Sequence, residues 1–140
     1  MSTVAKVRFA DYPAGVAAAL DAIGAADRLP RRGLVIVKPN LTNADAPPVT
    51  TPPAAAEAVW RYCRDRCGAE VVIGEGCGSG TTEEVFAATG YAKLARREGI
   101  RLIDFNAAPA AAVSRPDALQ LETFHLPEVA REALSSRCRC

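Results

Sequence analysis

The residues Leu34-Val35-Ile36-Val37 form an apolar, mostly β-branched run with no polar member. A strand that faces water on one side alternates apolar and polar residues, so an uninterrupted run marks a strand buried on both faces. Strands of that kind belong to parallel sheets covered by helices. The run stops at Lys38-Pro39-Asn40, where Pro39 forbids a regular continuation. Glu70 to Ile73 and Ile100 to Phe105 read as further strands. Val4 to Phe9, in which Lys6 and Arg8 alternate with apolar residues, reads as a first strand with one wetter face. Helical patterns lie between them. One opens at Pro13 and continues through the Ala-rich stretch Gly15 to Leu29; another runs from Thr50-Thr51-Pro52-Pro53 to about Cys67, with Gly68 as terminator. Thr81-Thr82-Glu83-Glu84 opens a third, and Tyr91 to Glu98 forms a fourth that stops at Gly99.

This alternation predicts an α/β fold of Rossmann-like type, with a mainly parallel sheet, helices on both faces and right-handed crossovers. Its strands are expected over 4–9, 34–37, 70–73 and 100–105. After Asn106 the pattern weakens: Leu119 to Phe124 reads as a peripheral strand and Leu126 to Leu134 as a short helix. A length of 140 residues suits one domain, here 1–134, with Ser135-Ser136-Arg137-Cys138-Arg139-Cys140 as a loose tail.

Charge excludes several partners. The 17 basic and 16 acidic side chains give a net charge of +1, so the basic excess that nucleic acid or an anionic membrane surface requires is missing. No apolar run reaches the roughly 18 residues of a membrane span. The start, Met1-Ser2-Thr3-Val4-Ala5-Lys6, lacks the plan of a signal peptide, which predicts a cytoplasmic protein. Five cysteines, an odd count, then read as reduced thiols.

In open parallel sheets ligands bind beyond the carboxyl ends of the strands, where loops and helix starts converge. The exits here are polar: Asp11 and Tyr12, Lys38 and Asn40, Glu75, then Asp104 and Asn106. The sharpest feature is the turn Gly74-Glu75-Gly76-Cys77-Gly78-Ser79-Gly80, followed by Thr81 and Thr82. Glycines admit close approach to the backbone, and N–H groups at a helix start favour an anion. No Lys follows the last glycine, so this is not a P-loop, and the G-x-G-x-G spacing departs from the dinucleotide fingerprint. A tight turn without a ligand is the plain alternative. Lys38, Asn40, Glu75 and the turn Gly76–Thr82 are expected around one pocket, with Lys38 supplying positive charge and Asn40, Thr81 and Thr82 donating hydrogen bonds. An ion pair between Lys38 and Glu75 is the structural competitor.

No catalytic residue is assigned. Cys77 lies in the turn at a helix start, a setting in which a nucleophilic thiol is considered, but the single histidine, His125, sits between Phe124 and Leu126 and reads as structural. Cys63 and Cys67 share a helix face, and Cys138 and Cys140 form a C-x-C pair; neither spacing matches a usual metal knuckle, so no metal site is expected. A nucleotide site using Asp104 on a ribose is a third reading, against which the glycine spacing counts.

Three ordered segments carry a resemblance: Val35-Ile36-Val37-Lys38-Pro39-Asn40, then Val49-Thr50-Thr51-Pro52-Pro53, then Gly74-Glu75-Gly76 with Gly78-Ser79-Gly80-Thr81-Thr82-Glu83-Glu84-Val85-Phe86. Together they resemble the family called domain of unknown function 362. Lys38, Asn40, Thr50, Thr51, Glu75, Gly76, Gly78 and Gly80 fall on its motif positions. The resemblance implies a cytoplasmic prokaryotic α/β domain, frequently joined to a ferredoxin-like module with four-iron clusters. It transfers no reaction. The resemblance implies a domain that runs well past the segment resembling His125-Leu126-Pro127-Glu128, so an incomplete family domain is expected here. The chain lacks a C-x-x-C-x-x-C run, and an iron–sulfur cluster is not expected on it. The resulting expectation is a domain that binds a small anionic or phosphorylated ligand at the strand ends, in a redox context. The alternative is a non-catalytic scaffold or accessory module for an iron–sulfur partner.

Overall fold

The computed structural model describes residues 3–136. Helix α1, Tyr12–Ala22, is launched by Asp11, whose Oδ1 accepts the Ala14 N–H at 2.7 Å. It ends well short of the expected Leu29. Gly24 adopts a left-handed φ of +65° and a 3-10 turn, Ala26–Arg28, follows. Then come β1 (Leu34–Val37), α2 (Pro53–Arg64), β2 (Glu70–Glu75), α3 (Thr82–Ala88), α4 (Tyr91–Glu98) and β3 (Leu102–Asp104). The chain closes with β4 (Ala110–Ser114), β5 (Thr123–Pro127) and α5 (Glu128–Ser136). Cys138 and Cys140, in the tail expected to be loose, lie outside the described residues.

The main sheet is three-stranded, in the order β1-β2-β3, and wholly parallel. Leu34 pairs with Glu70 and Val37 with Ile73; Ile73 pairs onward with Leu102 and Glu75 with Asp104. Strand β2 therefore runs two residues past its apolar core, because β3 continues the ladder beside Gly74 and Glu75. The expected first strand does not form. Residues 4–9 join no ladder, and Val4 and Phe9 are 89% and 65% exposed. Alternation marks the two sides of an extended segment but supplies no partner edge. Here the Phe9 ring packs edge-on against Tyr12, at 5.2 Å between centroids, and lines a hollow with Ala54 and Ala58 of α2.

A separate antiparallel pair, β4 and β5, was not expected in this form; Ala110 pairs with Pro127 and Ser114 with Thr123. The stretch Ala110–Ser114 has little strand propensity of its own. Its backbone is satisfied by β5, and its half-buried side chains, Ala111 and Val113, alternate with exposed ones.

Val72 and Ile73 point to opposite faces of β2 and both are fully buried, each worth about 1.5–3 kcal/mol of apolar burial. On one side Val37, Val71 and Ile73 join Ala56, Trp60 and Cys63 of α2 with Phe86, Tyr91 and Leu94. The Trp60 indole donates to the Val71 carbonyl at 2.8 Å. Arg61 on α2 bridges Glu57 (3.0 Å) and Glu98 at the end of α4 (2.6 Å). The neighbouring strand residues Leu34, Ile36 and Gly74 turn away from that cluster. A Cβ on Gly74 would stand 2.5 Å from the Phe105 ring and 3.3 Å from Ile36 Cγ2, so the glycine makes the seat for Phe105.

Candidate functional site

Glu75 ends β2 with its carboxylate buried, the residue only 5% exposed. A buried carboxylate needs partners for both oxygens. Oε1 accepts the Gly76 N–H at 2.9 Å; Oε2 accepts the Leu41 N–H at 3.3 Å and the Lys38 ammonium at 2.7 Å. Adjacent parallel strands deliver Lys38 and Glu75 to the same edge of the sheet, which brings the two expected charges together as an ion pair. The Lys38 side chain remains 57% exposed. Its ammonium also donates to the Pro39 carbonyl at 3.2 Å, which leaves one of its three N–H donors over. Tyr91, fully buried close by, donates its hydroxyl to the Thr51 carbonyl at 3.0 Å. Burial, then the negative charge of Glu75, push its phenol well above the ordinary value, so it stays a neutral donor.

Asn40, Thr50 and Thr51 brace the loop after β1. The Asn40 side-chain amide donates to the Val49 carbonyl at 3.0 Å, and its backbone N–H donates to Thr51 Oγ1 at 3.0 Å. The Thr51 N–H returns to the Asn40 carbonyl at 2.9 Å, and the Thr50 hydroxyl donates to the Asp45 carbonyl at 2.7 Å. The Pro47–Pro48 peptide in this loop is cis.

The glycine-rich turn is held by the chain itself. The Gly78 and Ser79 N–H groups both donate to the Thr42 carbonyl, at 2.9 and 3.0 Å. A Cβ on Gly76 would meet Asn106 Oδ1 at 2.5 Å, and Gly80 has a φ of +79°. Asn106 in turn donates to the Cys77 carbonyl at 2.9 Å. Thr81 and Glu84 form a capping box on α3, and the Thr81 hydroxyl and N–H hold the Glu84 carboxyl below its usual value. Thr82 is buried, its Oγ1 3.4 Å from the Cys77 N–H. Leu41, Thr42 and Asn106 thus organise the strand ends alongside the expected residues. Of these only Asn106 carried a signal, as a polar strand exit.

Two hollows flank the loop after β1. One, of about 360 Å³, takes in Asn40, Thr50, Thr51, Tyr12 and the proline segment. The other, of about 390 Å³, takes in Lys38 and runs along β1 beneath α5. Glu75 and residues 76–82 line neither, so Lys38 and the Asn40 loop face different hollows and the turn faces neither of these two.

Cys77 is buried, with its thiol 3.4 Å from the Gly80 carbonyl and 3.6 Å from Thr82 Oγ1, while His125 sits exposed on β5 opposite Ala112. Burial, then the neighbouring Cys67, raise the Cys63 thiol. Asp104 accepts the Asn106 N–H at 2.8 Å. An iron–sulfur cluster needs several converging thiolates. Among the described residues no three His, Cys, Asp or Glu side chains converge in that way, so they do not fit such a cluster. No helix among them is long and apolar enough to cross a membrane.

Neither the curated proteins nor the solved structures contain a match to this chain. The family model described as a domain of unknown function (DUF362) matches residues 35–135, from β1 into α5. That span carries the Lys38–Glu75 pair, the braced loop and the glycine turn, and the chain belongs to this family.

Proposed function

We propose that this domain binds a small anionic or phosphorylated ligand at the carboxyl ends of a Rossmann-like sheet, with Lys38 as the charged anchor. One observation carries the reading. Lys38 is held at the sheet edge by a buried carboxylate, yet stays more than half exposed with an N–H donor left over. An ammonium fixed in position loses little further freedom when an anion arrives, which favours binding. The remaining members of the proposed set are Asn40, Thr50, Thr51, Glu75, Gly76, Gly78, Gly80, Thr81 and Thr82, which shape the surrounding loops. The redox setting and the cytoplasmic location rest on the family resemblance.

The test is a thermal-shift screen of inorganic phosphate, nucleotides and carboxylates on the wild-type chain and on Lys38→Ala. The expected result is a rise in Tm with one anion class that Lys38→Ala removes while the circular dichroism spectrum is kept. A Lys38→Met/Glu75→Gln chain that keeps every ligand response would place the site elsewhere.

A second reading, a non-catalytic scaffold or accessory module for an iron–sulfur partner, is favoured by the internal bonding of the turn. The Gly78 and Ser79 N–H groups are already spent on Thr42. Co-elution with a four-iron ferredoxin-like module, unaffected by Lys38→Ala, supports that reading over the first.

A further inference from the structure

The 390 Å³ hollow between β1 and α5 has a lining that bare anion binding leaves unused. Ile36, Phe105, Leu126, Ala130 and Ala133 form its body, and among the described residues its charged lining consists of two cations, Arg28 and Lys38. That volume falls within the range of roughly 300–1,000 Å³ usual for small-molecule sites, which are mostly apolar with a few placed polar groups. Arg28 is exposed and its guanidinium has no ion-pair partner among the described residues. Glu75 offsets the charge of Lys38 but not its remaining N–H donor, so the hollow presents close to one net positive charge. That balance suits a monoanion better than a phosphomonoester, which carries about −1.5 to −2. The planar guanidinium fork also matches a carboxylate.

We infer that the hollow takes a monocarboxylate with an apolar body, its hydrocarbon on Ile36, Phe105 and the α5 alanines and its acid group drawn by the positive charge of the lining cations Lys38 and Arg28. This rests on the proposed anion site, since Lys38 anchors both, and it names the ligand class.

The test is calorimetric titration of the full 140-residue chain with butyrate, hexanoate and octanoate, with octanol and inorganic phosphate as controls. Each added methylene should tighten binding about fourfold until the hollow is full. Octanol should bind at least about tenfold more weakly than octanoate, and Arg28→Gln should cost a similar factor. Ala130→Phe, which fills the hollow, should abolish octanoate binding and spare any phosphate response. Lys38→Met/Glu75→Gln removes both charges of the pair, so it tests the anchor without leaving a lone buried carboxylate; it should also weaken octanoate. Affinity that ignores chain length, or octanoate binding untouched by Ala130→Phe or by the double variant, overturns the inference. Lys38-dependent phosphate binding without octanoate binding overturns it too, while sparing the small-anion reading. Failure of octanoate together with every anion of the thermal-shift screen removes both.

Discussion

Replacing Glu75 by glutamine preserves the size of the side chain, and its surroundings set the cost. At 2.7 Å and an effective dielectric constant of about 20, the attraction to Lys38 is about 6 kcal/mol before solvation is counted. Lys38 is 57% exposed and regains water when its partner is neutralised, which cuts the net contribution to about 1–2 kcal/mol. Glutamine also offers one acceptor oxygen where the carboxylate offered two. Either the Leu41 or the Gly76 N–H then loses its acceptor, at about 1–3 kcal/mol for a buried donor. Glu75→Gln should therefore cost about 3 kcal/mol, or about 10 °C in Tm for a chain of this length. Lys38→Met keeps both backbone bonds to the carboxylate but takes away its cation; because the Lys38 side is 57% exposed, water replaces part of that charge and the cost should be about 2 kcal/mol, below that of Glu75→Gln. Urea denaturation at pH 7, followed by circular dichroism, measures both variants and their combination. The double variant should fall short of the summed costs by about 1 kcal/mol. Equal costs for the two single variants, or a coupling below about 0.3 kcal/mol, would show that Glu75 does not organise these strand ends.

The seat for Phe105 predicts that Gly74→Ala costs about 1–3 kcal/mol by overpacking, and that adding Phe105→Leu recovers part of it; urea midpoints decide. Val4 is 89% exposed, so Val4→Thr should change stability by less than about 0.5 kcal/mol, and a larger loss would mean that residues 4–9 pair as a strand after all. Burial raises the Glu57 carboxyl, but hydrogen bonds from Arg97 and Arg61 outweigh it and hold the group below its ordinary 4.5. A carboxyl depressed in the fold contributes stability above its unfolded pKa and loses it as pH falls through the folded one. The acid-side fall in stability below about pH 4.5 should therefore be shallower in Glu57→Gln, and an unchanged slope in pH-dependent urea titrations contradicts the assignment.

Some elements could be read directly because their causes are local. Strand β1 spans the apolar run 34–37 predicted for it, and α4 spans 91–98 up to the left-handed Gly99. The capping box at Thr81 and Glu84 is written into four consecutive residues. Burial on both faces and a glycine terminator leave marks within a few positions of the element they define. The family was legible for the same reason, since its ordered motifs sit at these strand ends.

Partnership leaves no such mark. Val4–Phe9 and Ala110–Ser114 differ in the sense opposite to their patterns: the first alternates as a strand should and has no ladder, while the second opens with three alanines and has one. A strand is stabilised by a neighbour's N–H and C=O groups, and their position depends on how α1 and the hairpin fold back. The turn shows the same division. Its glycines could be seen in the chain, but their uses, Asn106 over Gly76 and the Thr42 carbonyl on Gly78, depend on residues 30 positions further on and 36 positions back. The chemistry at the strand ends was therefore visible as residue types. Which N–H groups were already taken, and that Lys38 keeps one donor free, depended on packing, because hydrogen bonds at this edge join segments brought together only by the folded sheet.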